Sequence, residues 1–156
     1  MRAFKEIFSH LVVLLVALPA FAQQAESTVA LWRDRGDAAS LDLLDGPGGK
    51  EHQPGSNFKF IGESKSGTSP KFDAEDENGT RWKVKLGPEM KSETAATRLV
   101  WAAGYFADED YYRPEIRVQG MRRLSRGRQY VSDGDLAREV RLERHKNDEK
   151  SEKKWS

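Results

Sequence analysis

Three stretches of this sequence carry groups suited to holding phosphate. Gly67, Thr68 and Ser69 lie in a polar loop closed by Pro70 and followed by Lys71; Lys85 sits near the end of an alternating run; Glu93 opens a helical one. Backbone N–H groups approach phosphate oxygens closely only where side chains are small. A lysine on the following strand supplies the opposing charge, and a carboxylate on the next helix shields that lysine from solvent and fixes its direction. Each piece also has a plain structural meaning. Residues 67–70 alone read as a hairpin loop, and Lys85 with Glu93 as an edge ion pair worth at most about 1 kcal/mol. Other chemistries find less support. His52 and His145 stand apart, with no second histidine or cysteine at ligand spacing. Asp73, Glu75, Asp76 and Glu77 fit a turn better than a cation site, and a chain without cysteine has no thiol catalysis. No catalytic or metal-binding residue is therefore assigned, and ATP with Mg2+ is expected only if the Gly67–Ser69, Lys71, Lys85 and Glu93 set works as a nucleotide site.

The elements that would position this set are legible in outline. Phe58–Ile61 predicts a strand, Lys71–Ala74 resumes extended structure, and Glu77-Asn78-Gly79-Thr80 is a hairpin signal. Arg81–Leu86 alternates Trp82, Val84 and Leu86 on one face, which places Lys83 and Lys85 together on the other. After Gly87-Pro88, Ser92 reads as the N-cap of a helix over Glu93–Ala103 that Gly104 ends. Ala96, Leu99, Val100 and Ala103 form its apolar stripe, expected to pack inward with Trp101 beside it and Trp82 in the sheet. Pro114–Val118 reads as a further strand. The expected fold class is α+β, a small antiparallel sheet with one main packed helix.

In this order, the strings Gly67-Thr68-Ser69-Pro70-Lys71-Phe72, Asn78-Gly79-Thr80-Arg81-Trp82-Lys83-Val84-Lys85-Leu86, Glu93-Thr94-Ala95-Ala96-Thr97-Arg98-Leu99 and Ala103-Gly104-Tyr105 resemble the amino-terminal half of the catalytic region of HipA-like kinases. They are similar also to a group of uncharacterised exported bacterial proteins. The resemblance covers about Phe58 to Val118. It implies a protein-kinase-like amino-terminal lobe in which residues 67–71 match the phosphate loop, Lys85 the nucleotide lysine and Glu93 its partner. Two departures bear on activity. Lys83 stands where the kinase strand usually offers a small side chain beside the adenine. The kinases' carboxy-terminal lobe, with its catalytic and metal-binding aspartates, has no counterpart here, and Asp108, Asp110 and Asp133 match neither motif. The resemblance thus implies a non-catalytic or incomplete nucleotide-binding-lobe-like module with no complete active site. The alternative is the amino-terminal part of a phosphotransferase whose catalytic lobe is missing and would be its partner.

The rest of the chain sets the context. Residues 1–22 pair Arg2 and Lys5 with the apolar run Leu11–Leu18 and the small residues of Pro19-Ala20-Phe21-Ala22, which predicts a cleaved export signal and a secreted or periplasmic product. A lead-in segment over 23–51, an α+β domain over 52–142 and a charged stretch over 143–156 follow, the last read either as a disordered tail or, from the lone Trp155, as a point of truncation. Losing Arg2, Lys5 and Glu6 with the signal leaves equal numbers of basic and acidic residues, which argues against a nucleic-acid partner. Arg113, Arg117, Arg122, Arg123, Arg126 and Arg128 make a basic segment. It reads first as a solvated face and alternatively as an interaction module for an anionic envelope surface. Arg138, Arg141 and Arg144 alternating with Glu139 and Glu143 read as an exposed helix or strand edge. Oligomeric state is not legible.

Overall fold

The computed structural model describes residues 32–146, so the export signal over 1–22, Trp155 and the tail beyond 146 lie outside the described residues. Among the described residues there are six strands, β1 (Asn57–Ser64), β2 (Lys71–Asp76), β3 (Arg81–Leu86), β4 (Asp110–Gln119), the two-residue β5 (Val131–Ser132) and β6 (Leu136–Arg144), with one α-helix, α1 (Met90–Ala102), between β3 and β4. β1, β2 and β3 form an antiparallel meander. β6 then pairs antiparallel with both β3 and β4, and β4 returns to β1 through a three-residue parallel seam, Asn57–Lys59 against Arg117–Gln119.

The order β1-β2-β3-β6-β4 therefore closes on itself. The architecture is a closed five-stranded barrel with one helix outside it, which corrects the expected small sheet of a kinase-like lobe. The physical reason lies in β6. Its charges suggest an exposed edge, yet Val140 and Leu142 are fully buried in the barrel and the intervening Arg141 is buried on the outer side. Glu139, at φ 51°, breaks the alternation that would otherwise have marked the strand. The strand also runs through Glu143 and Arg144, two residues past the expected domain boundary at Leu142.

Inside the barrel, the alternation of β3 works as read: Trp82, Val84 and Leu86 are buried, against Phe72 and Ala74 of β2 and Tyr111 of β4. The Trp82 and Tyr111 rings meet edge to face, 6.0 Å between centroids. A register shift between Phe60 and Gly62 leaves Ile61 of β1 without a partner in β2 and half exposed.

The β2–β3 turn is built on one carboxylate. Asp76 is 6% exposed. Its Oδ1 accepts from the backbone N–H groups of Asn78 (2.9 Å) and Thr80 (3.0 Å), and its Oδ2 from Trp82 Nε1 (2.9 Å) and Gly55 N–H (3.2 Å). Gly79 takes the left-handed conformation, φ 77°, that the Asn-Gly pair predicts.

The helix differs from its expected form in start and in orientation. It begins at Met90, and Ser92 donates its hydroxyl to Glu89 O (2.8 Å) within the first turn rather than capping it. Met90, Thr94 and Arg98 face the barrel, while Leu99 and Val100, expected inward, are 64% and 48% exposed. Trp101 is half-buried, with the Arg35 guanidinium 5.5 Å from its ring. The helix turns its polar side inward because the surface beneath it carries the buried Asp110 and Arg141, and charges in such a place demand polar partners.

Replacing Asp76 by alanine strands the Trp82 indole N–H and three backbone donors at once. Each buried donor left unpaired costs about 1–3 kcal/mol, so Asp76→Ala is expected to lower unfolding stability by more than about 2 kcal/mol, read as a shift in urea midpoint, with Asp76→Asn intermediate.

Candidate functional site

The outward faces of β3, β6 and β4 meet beneath α1, and their registers decide which charges touch. Lys83 lies opposite Glu143 and Lys85 opposite Arg141 across β3–β6, while Asp110 lies opposite Glu143 across β4–β6. Lys83 Nζ donates to Glu143 Oε1 at 2.6 Å, and Lys85 Nζ lies 3.2 Å from Glu143 Oε2. Burial alone would raise the Glu143 carboxyl. The hydrogen bond from Lys83 and the charges of Lys85 and Lys83 overcome that and bring it down to about 2.

Asp110 is wholly buried between two guanidinium groups, Arg141 Nε at 2.5 Å from Oδ2 and Arg98 Nη1 at 3.4 Å from Oδ1. Burial nonetheless pushes its carboxyl above the usual range, against the opposing charge of Arg141. Arg141 also reaches α1, with Nη1 3.3 Å from Glu93 Oε2 and Nη2 3.4 Å from Thr97 Oγ1. A continuous charged layer thus runs from Lys83 through Glu143 and Arg141 to Asp110, Glu93 and Arg98.

The residues picked from the sequence are brought only partly together. Lys71 and Lys85 are direct cross-strand neighbours, and the Lys71 ammonium lies beside Gly67. Glu93 is on the helix above, but the strand lysine's nearest carboxylate is Glu143, and Glu93 bonds Arg141 instead. The loop carrying Gly67, Thr68 and Ser69 is fastened by Arg126, whose guanidinium donates to the carbonyls of Gly67 (2.8 Å), Thr68 (3.3 Å) and Ser64 (3.3 Å). Glu63 anchors that arginine's backbone, accepting from Ser125 and Arg126 N–H, and the bonds from Ser125 hold its carboxyl below the usual range. The loop's carbonyls are thus engaged from the side of the basic segment. Within that segment Arg117 pairs with Asp135, Arg113 donates to Gln53 and Arg128 to Leu124 O, while Arg122 and Arg123 are exposed.

Of four clefts of about 360 to 520 Å3 among the described residues, none is lined by Gly67, Thr68, Ser69, Lys71, Lys85 or Glu93. The widest lies between α1 and the segment Leu43–Gln53. His52 pairs with Glu109 and His145 with Asp73, and among the described residues no three potential metal ligands gather.

Glu143, Arg141, Asp110 and Arg98 were not picked from the sequence. Period two would have found the first two, since buried Val140 and Leu142 set Arg141 and Glu143 on the outward face. No local pattern marks Asp110 or Arg98, which meet only through the fold. Compared with known proteins, the chain matches no family model, no curated protein and no solved structure.

Two outcomes follow from this layer. Arg141→Met leaves the buried Asp110 with a single, longer ion pair and is expected to cost about 3–5 kcal/mol, measured by denaturant unfolding. Glu143 titrates at about 2 when folded against its ordinary 4.5. Its contribution to stability is therefore complete above pH 4.5 and is lost as pH falls toward 2. Glu143→Gln should flatten that acid limb of the urea-midpoint profile; parallel profiles for parent and variant would exclude this carboxylate as its source.

Proposed function

We propose that this chain is an exported, non-catalytic binding module whose phosphate-like constellation serves the barrel's own structure. One observation carries the reading: Lys85, the lysine that a phosphate site would need, and its neighbour Lys83 both bond Glu143, a carboxylate contributed by the barrel's closing strand. A carboxylate held at a low pKa between two lysines neutralises the charge that would draw a phosphate, and Arg126 already occupies the carbonyl side of the glycine-bearing loop. Export rests on the pattern of residues 1–22 and on the destination it predicts.

A second reading is favoured by one specific feature, the side-by-side placement of Lys71 and Lys85 next to Gly67. It makes these residues the nucleotide-holding part of a phosphotransferase, completed by a catalytic lobe supplied elsewhere. Thermal unfolding of the chain from Gln23 onward, with and without millimolar Mg-ATP, separates the two, because a ligand that binds only the folded state raises the midpoint. The expected result is no nucleotide-dependent shift, with a modest drop in midpoint for Lys85→Ala from the lost ion pair. A rise with Mg-ATP in the parent that Lys85→Ala abolishes would overturn the non-catalytic reading.

A further inference from the structure

The widest of these clefts, about 520 Å3, falls in the size range of small-ligand sites, and its lining is sorted by chemistry along its length. α1 contributes Lys91, Thr94, Ala95, Arg98 and Leu99, the spacing of one helical stripe. The helix runs opposite in direction to β4. Arg98, near the helix end, meets Asp110 at the start of the strand. The residues just before the helix adjoin Glu139, whose carbonyl accepts from Gly87 N–H (3.1 Å) and whose neighbour Val140 lies opposite Arg113. Lys91 and Arg113 therefore fall at one end of the cleft. At the other end Arg98 Nε donates to Leu44 O (3.1 Å), which sets Leu43 and Leu44 beside Leu99. Leu44 and Leu99 are exposed, so this end offers bare aliphatic surface.

The charge of the lining is one-sided. Asp45 is its one carboxylate, and it is buried and accepts the Gln53 amide, so it presents no acidic surface to the opening. Arg98 is answered by Asp110 beneath the helix (3.4 Å) and lies over the Tyr111 ring. Lys91 and Arg113 are not answered. Arg113 donates to the neutral Gln53 Oε1 (3.0 Å), Lys91 is exposed, and among the described residues no carboxylate oxygen lies within 4.0 Å of a charged nitrogen of either. Two uncompensated cations at one end of an apolar slot attract an anion. Burying methylenes at the other end adds the hydrophobic term. Lys91 and Leu99, on one face of α1, are about 12 Å apart along its axis, room for a chain of medium length.

We propose that this cleft binds a single-chain aliphatic carboxylate, a free fatty acid of medium length, with its carboxylate between Lys91 and Arg113 and its tail along Ala95 toward Leu44 and Leu99. The proposal rests on the binding-module reading and gives it a ligand class. It uses none of the residues that the Mg-ATP experiment probes, so a nucleotide shift abolished by Lys85→Ala would overturn that reading and leave fatty-acid binding to be decided here.

The test is titration of the chain with sodium octanoate, below its micelle-forming concentration, followed by amide chemical shifts. Octanol, octylammonium and acetate serve as controls that lack, respectively, the charge, its sign and the tail. Saturable shifts centred on Lys91, Ala95, Leu99 and Arg113 are expected with octanoate, and each control should bind about tenfold or more weakly. Lys91→Gln and Arg113→Gln should each weaken octanoate about three- to fivefold while leaving octanol unchanged. Lys91 is exposed, so its replacement leaves the core intact whatever Arg113→Gln does to the fold. Leu99→Ser, also at an exposed position, should weaken octanoate and octanol alike. No saturable octanoate shift, shifts centred elsewhere, octanol or octylammonium binding as tightly, or octanoate affinity unchanged in Lys91→Gln would overturn the proposal.

Discussion

A carboxylate sealed from water between two guanidinium groups governs this fold. Asp110 has no exposed surface, and its stability depends on Arg141 from the closing strand and Arg98 from the helix arriving together. Interaction between charges in such surroundings is strong, but so is the cost of bringing them there, and the arrangement holds only while every member is present. The three elements that supply these residues are thereby fixed relative to one another. The helix has to lay Thr94, Thr97 and Arg98 on the barrel, and its leucine and valine are left facing water.

This inversion explains which parts of the structure could be read in advance. Local rules governed the β2–β3 hairpin, where Asn78-Gly79 sets the turn and Trp82, Val84 and Leu86 mark the inner face of the strand, and those features stand where the sequence predicts them. Ser92 and the stripe of Ala96, Leu99, Val100 and Ala103 obeyed equally familiar rules and pointed to the wrong start and face, because an apolar stripe signals burial only where the surface opposite is apolar. Barrel closure was hidden for a related reason. Arg141, Glu143 and Arg144 look like an exposed edge until Lys83, Lys85 and Asp110 are seen beside them, and those partners are brought in by pairing between distant strands. The alternation of Val140 and Leu142 was the one periodic clue, and it is short because it is cut off upstream at the left-handed Glu139.

The same non-local pairing divides the phosphate-like set. Neighbours on a hairpin, Lys71 and Lys85, come together as the spacing suggests, whereas the acid paired with Lys85 is Glu143, contributed by a strand more than fifty positions away in the chain. Glu93 stays in the charged layer but answers to Arg141. One cleft of the domain lies on another side, where helix and preceding segment part around Asp45.

The position of β6 at the carboxy-terminal end of the described residues has a consequence for biogenesis. While the chain emerges from the ribosome amino terminus first, β1 to β4 can form only an open sheet, β3-β2-β1-β4, with β3 and β4 as bare edges. Such edges recruit strands from other molecules. During that interval Lys83, Lys85 and Asp110 have no counter-charges from β6, so the half-made sheet is poorly stabilised as well as adhesive. Delivery of residues 136–144 removes both edges and neutralises the layer in one event.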